Sequence, residues 1–129
     1  VTRDRAAQIA GLRALADLLD TNLAVPAPWQ SIEIDFSPFG RPLVPPADQL
    51  QVALDVIAHM REPELAMELV RSRERAWLNV RGDVVGLTVR LRLDADHVCD
   101  RDPSARRKRD RWIVPPRLLA VVRDGRRTP

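Results

Sequence analysis

The sequence predicts an α+β fold, a largely antiparallel sheet of about four strands with two to three helices packed on one face. Three observations carry this expectation. Val85, Leu87, Val89, Leu91 and Leu93 alternate with Gly86, Thr88, Arg90, Arg92 and Asp94, the period of a strand with one buried face. Apolar residues at 9, 12, 15, 16 and 19, and again at 50, 53, 54, 57 and 60, recur every three or four positions, the period of a helix with one buried stripe. Between these helical stretches lie six prolines, at 26, 28, 38, 42, 45 and 46, which exclude a long helix there.

Taken in order, Thr2 is placed to cap a first helix whose stripe of Ile9, Leu12, Leu15, Ala16 and Leu19 packs on the core and which stops at Asp20-Thr21-Asn22. Arg3, Arg5, Arg13 and Asp17 keep its outer face wet. Within the Pro-rich stretch only 31–36 alternates as a strand, with Ile32, Ile34 and Phe36 on one face. Trp29, Phe36 and Phe39 bracket the loop and are expected to anchor it on the core, since large rings bury much area. Pro46-Ala47-Asp48 suits the first turn of a second helix, with Leu50, Ala53, Leu54, Ile57 and Met60 as its buried stripe. Pro63 interrupts that helix and opens a third, short one through Leu65, Leu69 and Val70, with Glu64 at its start and Arg71 and Arg73 at its end in accord with the helix dipole.

Ala76, Leu78 and Val80 alternate with Trp77 and Asn79 as the next strand, and Arg81-Gly82-Asp83 supplies turn chemistry for a hairpin into the strand at 84–94. Another strand is predicted at 111–114, ended by Pro115-Pro116, and 117–122 is either a short helix or a last strand. The helices cover one face of the sheet, and the other shows Thr88, Arg90 and Arg92.

Composition bounds the function. The 129 residues suit a single domain, 1–129, with a Pro-rich loop at 23–46 and a basic C-terminal segment at 101–129. With 30% charged and 45% apolar residues the chain reads as globular rather than disordered. No apolar run approaches the roughly 18 residues of a membrane span, and the first eight residues lack the apolar stretch of a signal peptide, so a cytoplasmic protein with no membrane partner is expected. Cys99 is the only cysteine, which excludes an intrachain disulfide.

The sharpest feature is the distribution of charge. Residues 101–129 hold ten of the 21 basic side chains and three of the 18 acidic ones. A local excess of this size favours anionic partners, nucleic acid first among them. Of the basic residues only Lys108 is lysine, and arginine is the better residue for bidentate phosphate contacts. The run Arg106-Arg107-Lys108-Arg109, flanked by Arg101 and Arg111, is expected on an exposed connection between two strands, with Arg90 and Arg92 extending the same surface. The alternative is a solvated turn whose arginines pair with Asp100, Asp102 and Asp110.

Other constellations are weaker. Asp94, Asp96, His97, Cys99, Asp100 and Asp102 are dense in potential ligands but fit no recognised metal spacing, so no metal or cofactor is predicted. His97 and Cys99 would share a face on an extended strand, but nothing else completes a nucleophilic site, and no catalytic residue is assigned. Arg81-Gly82-Asp83 is read as turn chemistry. Trp77 faces opposite to its apolar neighbours, marking it for packing or for contact with a protein partner.

The opening Arg5-Ala6-Ala7-Gln8-Ile9-Ala10-Gly11-Leu12-Arg13-Ala14-Leu15-Ala16-Asp17, leading to Val25-Pro26-Ala27-Pro28, together with Val89 to Cys99, Trp112 and Pro115-Pro116-Arg117-Leu118-Leu119, resembles a family of small uncharacterised actinobacterial proteins, often encoded on phages, plasmids or other mobile elements. The similarity covers about a third of the chain. The connection between Cys99 and Trp112 departs from that pattern in being shorter and more basic. The resemblance implies a bacterial intracellular accessory protein and no particular activity. Together these readings point to a small non-enzymatic protein meeting DNA or RNA through Arg90, Arg92, Arg106, Arg107, Lys108, Arg109 and Arg111. The alternative is a protein-interaction module or homodimer that presents Trp77 and a sheet edge.

Overall fold

The structure, a computed structural model, describes residues 4–24, 32–36, 44–70 and 74–127, the side chains of Arg109 and Arg127 excepted. The chain is α+β and divides into two compact units, Val1–Gln30 and Ser31–Pro129.

The first unit holds helix α1, Arg5–Thr21. Its cap is Asp4, whose Oδ1 accepts from the Ala6 amide at 2.9 Å, satisfying one of the donors a helix start leaves open. Thr2 lies outside the described residues, as do Trp29 and Phe39. The expected stop is observed: the Asn22 amide donates to the Leu18 carbonyl and the helix ends. Within this unit no residue of α1 is buried, and Ile9, Leu12, Leu15 and Leu18 are exposed.

The second unit is built on a four-stranded sheet in the order β1-β4-β3-β2, with β1 Glu33–Phe36, β2 Arg61–Val70, β3 Arg75–Val84 and β4 Leu87–Asp94. Helix α2, Pro46–Ile57, returns the chain to the starting end of the sheet, so β2 runs in the direction of β1. The antiparallel ladders β2–β3 and β3–β4 then make β4 parallel to β1, and Glu33 pairs with Thr88 through to Phe36 with Leu91.

Residues 61–70 correct the expected third helix. Pro63, Leu65, Met67 and Leu69 turn inward while Glu64, Ala66 and Glu68 are exposed, a period of two, and pairing with β3 outweighs the helix propensity of Glu, Leu, Ala and Met. Pro63 is tolerated because β2 is an edge strand, next to an irregularity at Glu62 where φ is 52°.

The hairpin turn also lies elsewhere than expected. Arg81, Gly82 and Asp83 run inside β3, paired with Arg90, Val89 and Thr88. The turn is Val85-Gly86, with φ of 47° and 85°, the positive pair that a two-residue type I′ connection requires. The Asp83 carboxylate accepts the Gly86 amide at 3.3 Å.

The predicted strand at 111–114 is not part of this sheet. Trp112–Ile113 form a short strand, β6, paired antiparallel with β5, Asp100–Arg101, in a sheet of their own. A one-turn helix, α3 (Ala95–Val98), links β4 to β5, and a 3₁₀ turn at Lys108–Arg111 leads into β6. The last element is a helix rather than a strand, α4, Pro116–Arg127.

The core lies between the sheet and helices α2 and α4. Ala53, Leu54, Ile57 and Met60 meet Leu78, Val80, Val89, Leu91 and Leu93 from the strands and Leu118 and Val122 from α4. Phe36 is not the core anchor expected of it, being 43% exposed on the β1 edge. The opposite face of the sheet carries Arg90 and Arg92, as the alternation of β4 predicted.

Candidate nucleic-acid interface

The open face of the sheet forms a shallow polar cleft of about 480 Å³. Strand register fixes its charge pattern. Arg90 stands opposite Asp35 on β1 and Arg81 on β3, and Arg81 stands opposite Glu64 on β2. Two like charges are therefore juxtaposed at the centre, an unfavourable pairing relieved by carboxylates or by an outside anion. Arg90 Nη1 lies 3.3 Å from Glu33 Oε1 and Arg92 Nη2 lies 3.4 Å from Glu68 Oε1. Both pairs are solvent-exposed, and pairs of this kind are weak and screened by salt.

Trp77 lies at one end of this face and is not a bare apolar patch. The Arg75 and Arg92 guanidinium groups sit 4.7 and 4.5 Å from its ring centroid, within cation–π range. Arg75 is in turn held by Asp94 at 2.9 Å.

The basic connection 102–111 packs against the same end. Lys108 Nζ donates to the Val70 carbonyl at 3.2 Å. Arg111 Nη1 bonds to Glu74 Oε1, and Arg101 Nη2 reaches Glu74 Oε2 at 3.3 Å. Val70 is two residues along β2 from Glu68, the partner of Arg92, a separation of about 7 Å. Arg92 and the connection are thus brought to one end of the sheet while Arg90 stands at its centre, and the predicted residues do not all stand clear of the protein. Arg101 and Arg111 are folded onto Glu74, and Arg101 also lies 3.6 Å from Asp96. The carboxylate they meet is not one of the interleaved aspartates the sequence offered. Arg106 and Arg107 are exposed and bond to no carboxylate among the described residues. The side chain of Arg109 lies outside the described set.

The polar residues that follow β4 are structural. Asp94 Oδ1 caps α3 by accepting the Asp96 amide at 3.0 Å, and Asp96 Oδ1 accepts the Trp112 indole N–H at 2.8 Å. Asp102 accepts from Ser104. Gln49, buried at the start of α2, donates to the Val44 carbonyl and accepts from His97 Nδ1 at 3.1 Å. Among the described residues no three His, Cys, Asp or Glu side chains converge as a metal site.

The expected shared face of His97 and Cys99 is absent, because α3 replaces the extended backbone that would have created it. Burial, followed by the nearby Asp100 and Asp96 charges, pushes the Cys99 thiol up to about 11, the opposite of an activated thiolate.

Among the described residues no helix is long and apolar enough to cross a membrane. A feature that sequence reasoning missed is Glu74, whose role depends on arginines 27 and 37 positions away. No protein-family model, curated protein or solved structure matches this chain.

Proposed function

We propose that this protein is a non-enzymatic accessory or regulatory protein of the bacterial cytoplasm that binds nucleic acid through its phosphate backbone. Its binding surface joins the Arg90 and Arg92 face of the sheet to the basic connection 102–111. The observation that carries the reading is the pair Arg106 and Arg107, exposed and without a carboxylate partner among the described residues, on a segment tied by Lys108 and Arg111 to the end of the sheet where Arg92 covers Trp77. Guanidinium groups in that setting meet phosphates without desolvating buried charge, and each phosphate neutralised releases counterions. Such contacts position the protein on a backbone and carry little sequence information.

The test is a titration of labelled duplex and single-stranded DNA and RNA across a salt series. Binding is expected at low salt, to weaken steeply as salt rises, and to lose one to two phosphate equivalents in Arg106→Ala/Arg107→Ala. No binding at low salt, or binding indifferent to the double substitution, refutes the reading.

A second reading, a homodimer, is favoured by α1. Within its own unit its 17 residues leave Ile9, Leu12, Leu15 and Leu18 exposed, and most of a helix's stability in a protein comes from packing such an apolar face. A second copy of the helix offers the matching apolar face. Light scattering at high concentration is expected to report a dimer that Leu12→Glu converts to monomer, and a wild-type monomer rejects this reading.

A further inference from the structure

We propose that Arg101 and Arg111 form a phosphate-binding fork on this surface and that Glu74 occupies it in the free protein. The inference rests on the nucleic-acid reading above and names where one backbone phosphate enters.

The two arginines are held by backbone structure rather than by Glu74. Arg101 belongs to β5 and pairs in register with Trp112, the residue after Arg111. The Asp102 amide donates to the Arg111 carbonyl at 2.7 Å, continuing the ladder. The two guanidinium groups therefore project from adjacent chain segments, and they converge on the two oxygens of one carboxylate, Arg101 on Oε2 and Arg111 on Oε1. A phosphodiester presents the same features, two unesterified oxygens sharing a single negative charge, and arginine pairs recognise it in the same way.

Glu74 is the replaceable member. It is the most exposed of the three, at 62%, and its exposed ion pairs are of the weak class. Beside the fork a cleft of about 420 Å³ is lined by Glu74, Arg101, Pro103 and Arg111, giving a phosphate room to approach. Glu74 also leaves a donor unused, because the buried Nε of Arg111 has no hydrogen-bond partner among the described residues. Asp96 does not compete for Arg111. Its near oxygen already accepts the Trp112 indole, and its only guanidinium contact among the described residues is the 3.6 Å approach of Arg101.

In the bound state the phosphate displaces the Glu74 carboxylate, which turns into solvent. Glu74 is then an internal competitor that weakens binding and makes it more selective for dense phosphate arrays.

The experiment uses the full chain and a fluorescent 20-nucleotide probe, single-stranded or duplex according to which the wild type binds more tightly. Glu74→Gln is expected to bind about fivefold more tightly at low salt with the log–log salt slope unchanged, because the same phosphate enters the fork in the wild type once Glu74 is displaced. The gain is expected to vanish in Glu74→Gln/Arg101→Ala/Arg111→Ala. If Glu74→Gln binds no better than wild type while Arg106→Ala/Arg107→Ala weakens binding, the fork is wrong and the nucleic-acid reading stands. If no variant binds, both fall. Where Glu74→Gln does not fold, carboxyl carbon NMR of the wild type decides. A Glu74 resonance that moves to its free-solution position on saturation supports displacement, and an unmoved resonance overturns it.

Discussion

Replacing Gly82 by alanine tests the register of the β3–β4 hairpin, on which the whole placement of the arginine face depends. A Cβ at Gly82 would stand 2.7 Å from Met60 Cβ and 2.8 Å from its sulfur. Carbon atoms pack at about 3.5–4.0 Å, so about 1 Å must open. Rotation of the Met60 side chain relieves the sulfur contact but not the Cβ contact, which is fixed to the backbone of a residue 4% exposed in the core. The strand or the 58–60 turn must therefore move, an overpacking cost of about 1–3 kcal/mol. For a chain of this length about 4 °C of melting temperature corresponds to each kcal/mol, so Gly82→Ala is expected to melt about 4–12 °C below wild type by circular dichroism. Met60→Ala removes the Cγ and Sδ contacts, and the double-mutant cycle is expected to show a favourable coupling of about 1 kcal/mol. If Arg81-Gly82-Asp83 were instead the turn, Gly82 would face solvent. Melting within 1 °C of wild type, with no coupling to Met60, would refute the register.

Val85→Asn places the residue preferred by a type I′ turn at a φ of 47° that valine adopts poorly, and with Val85 97% exposed nothing is lost; thermal unfolding is expected to show a gain of about 1 kcal/mol. Leu91→Ala empties a position 1% exposed at the centre of the core, and urea unfolding should register a loss of about 3 kcal/mol. The Cys99 thiol, with a pKa of about 11 against the ordinary 9.0, holds its proton in the folded protein after the unfolded chain has lost it. Its contribution to stability is therefore complete below pH 9 and falls as the pH rises from about 9 to about 11. Alkylation of the folded protein at pH 8 should run about a hundredfold slower than that of the unfolded chain from thiolate population alone, and equal rates would contradict the shift.

The elements legible in the sequence were those whose signal is local. The alternation of β4 fixed both its strand character and the outward side of Arg90 and Arg92, and Pro46 with the stripe at 50–57 located α2. β2 reads as a helix in sequence because Leu65 and Leu69 stand four apart among helix-forming residues, while the partner that makes the segment a strand, β3, acts from outside it. Gly82 looked like turn chemistry because glycine also serves where two elements approach closely, a use invisible until Met60 is seen against it.

The site was legible as charge and not as arrangement. Counting residues located the basic segment, but its neutralisation is non-local. Arg111 meets Glu74 across 37 residues, and Arg90 meets Glu33 across 57. The interleaved Asp102, the nearer candidate, is used instead to organise the turn at Ser104.

On the proposed reading nucleic acid meets the open sheet face and the 102–111 connection, away from the helices. Backbone amide and tryptophan indole NMR during titration with a 20-nucleotide probe at low salt tests it most directly. Shifts are expected to concentrate at Arg90, Arg92, Arg106, Arg107 and the Trp77 indole, with Val52 and Val56 of α2, beneath the other face, unmoved. Shifts centred on α2 and α4, or no shifts at a probe excess, would contradict it.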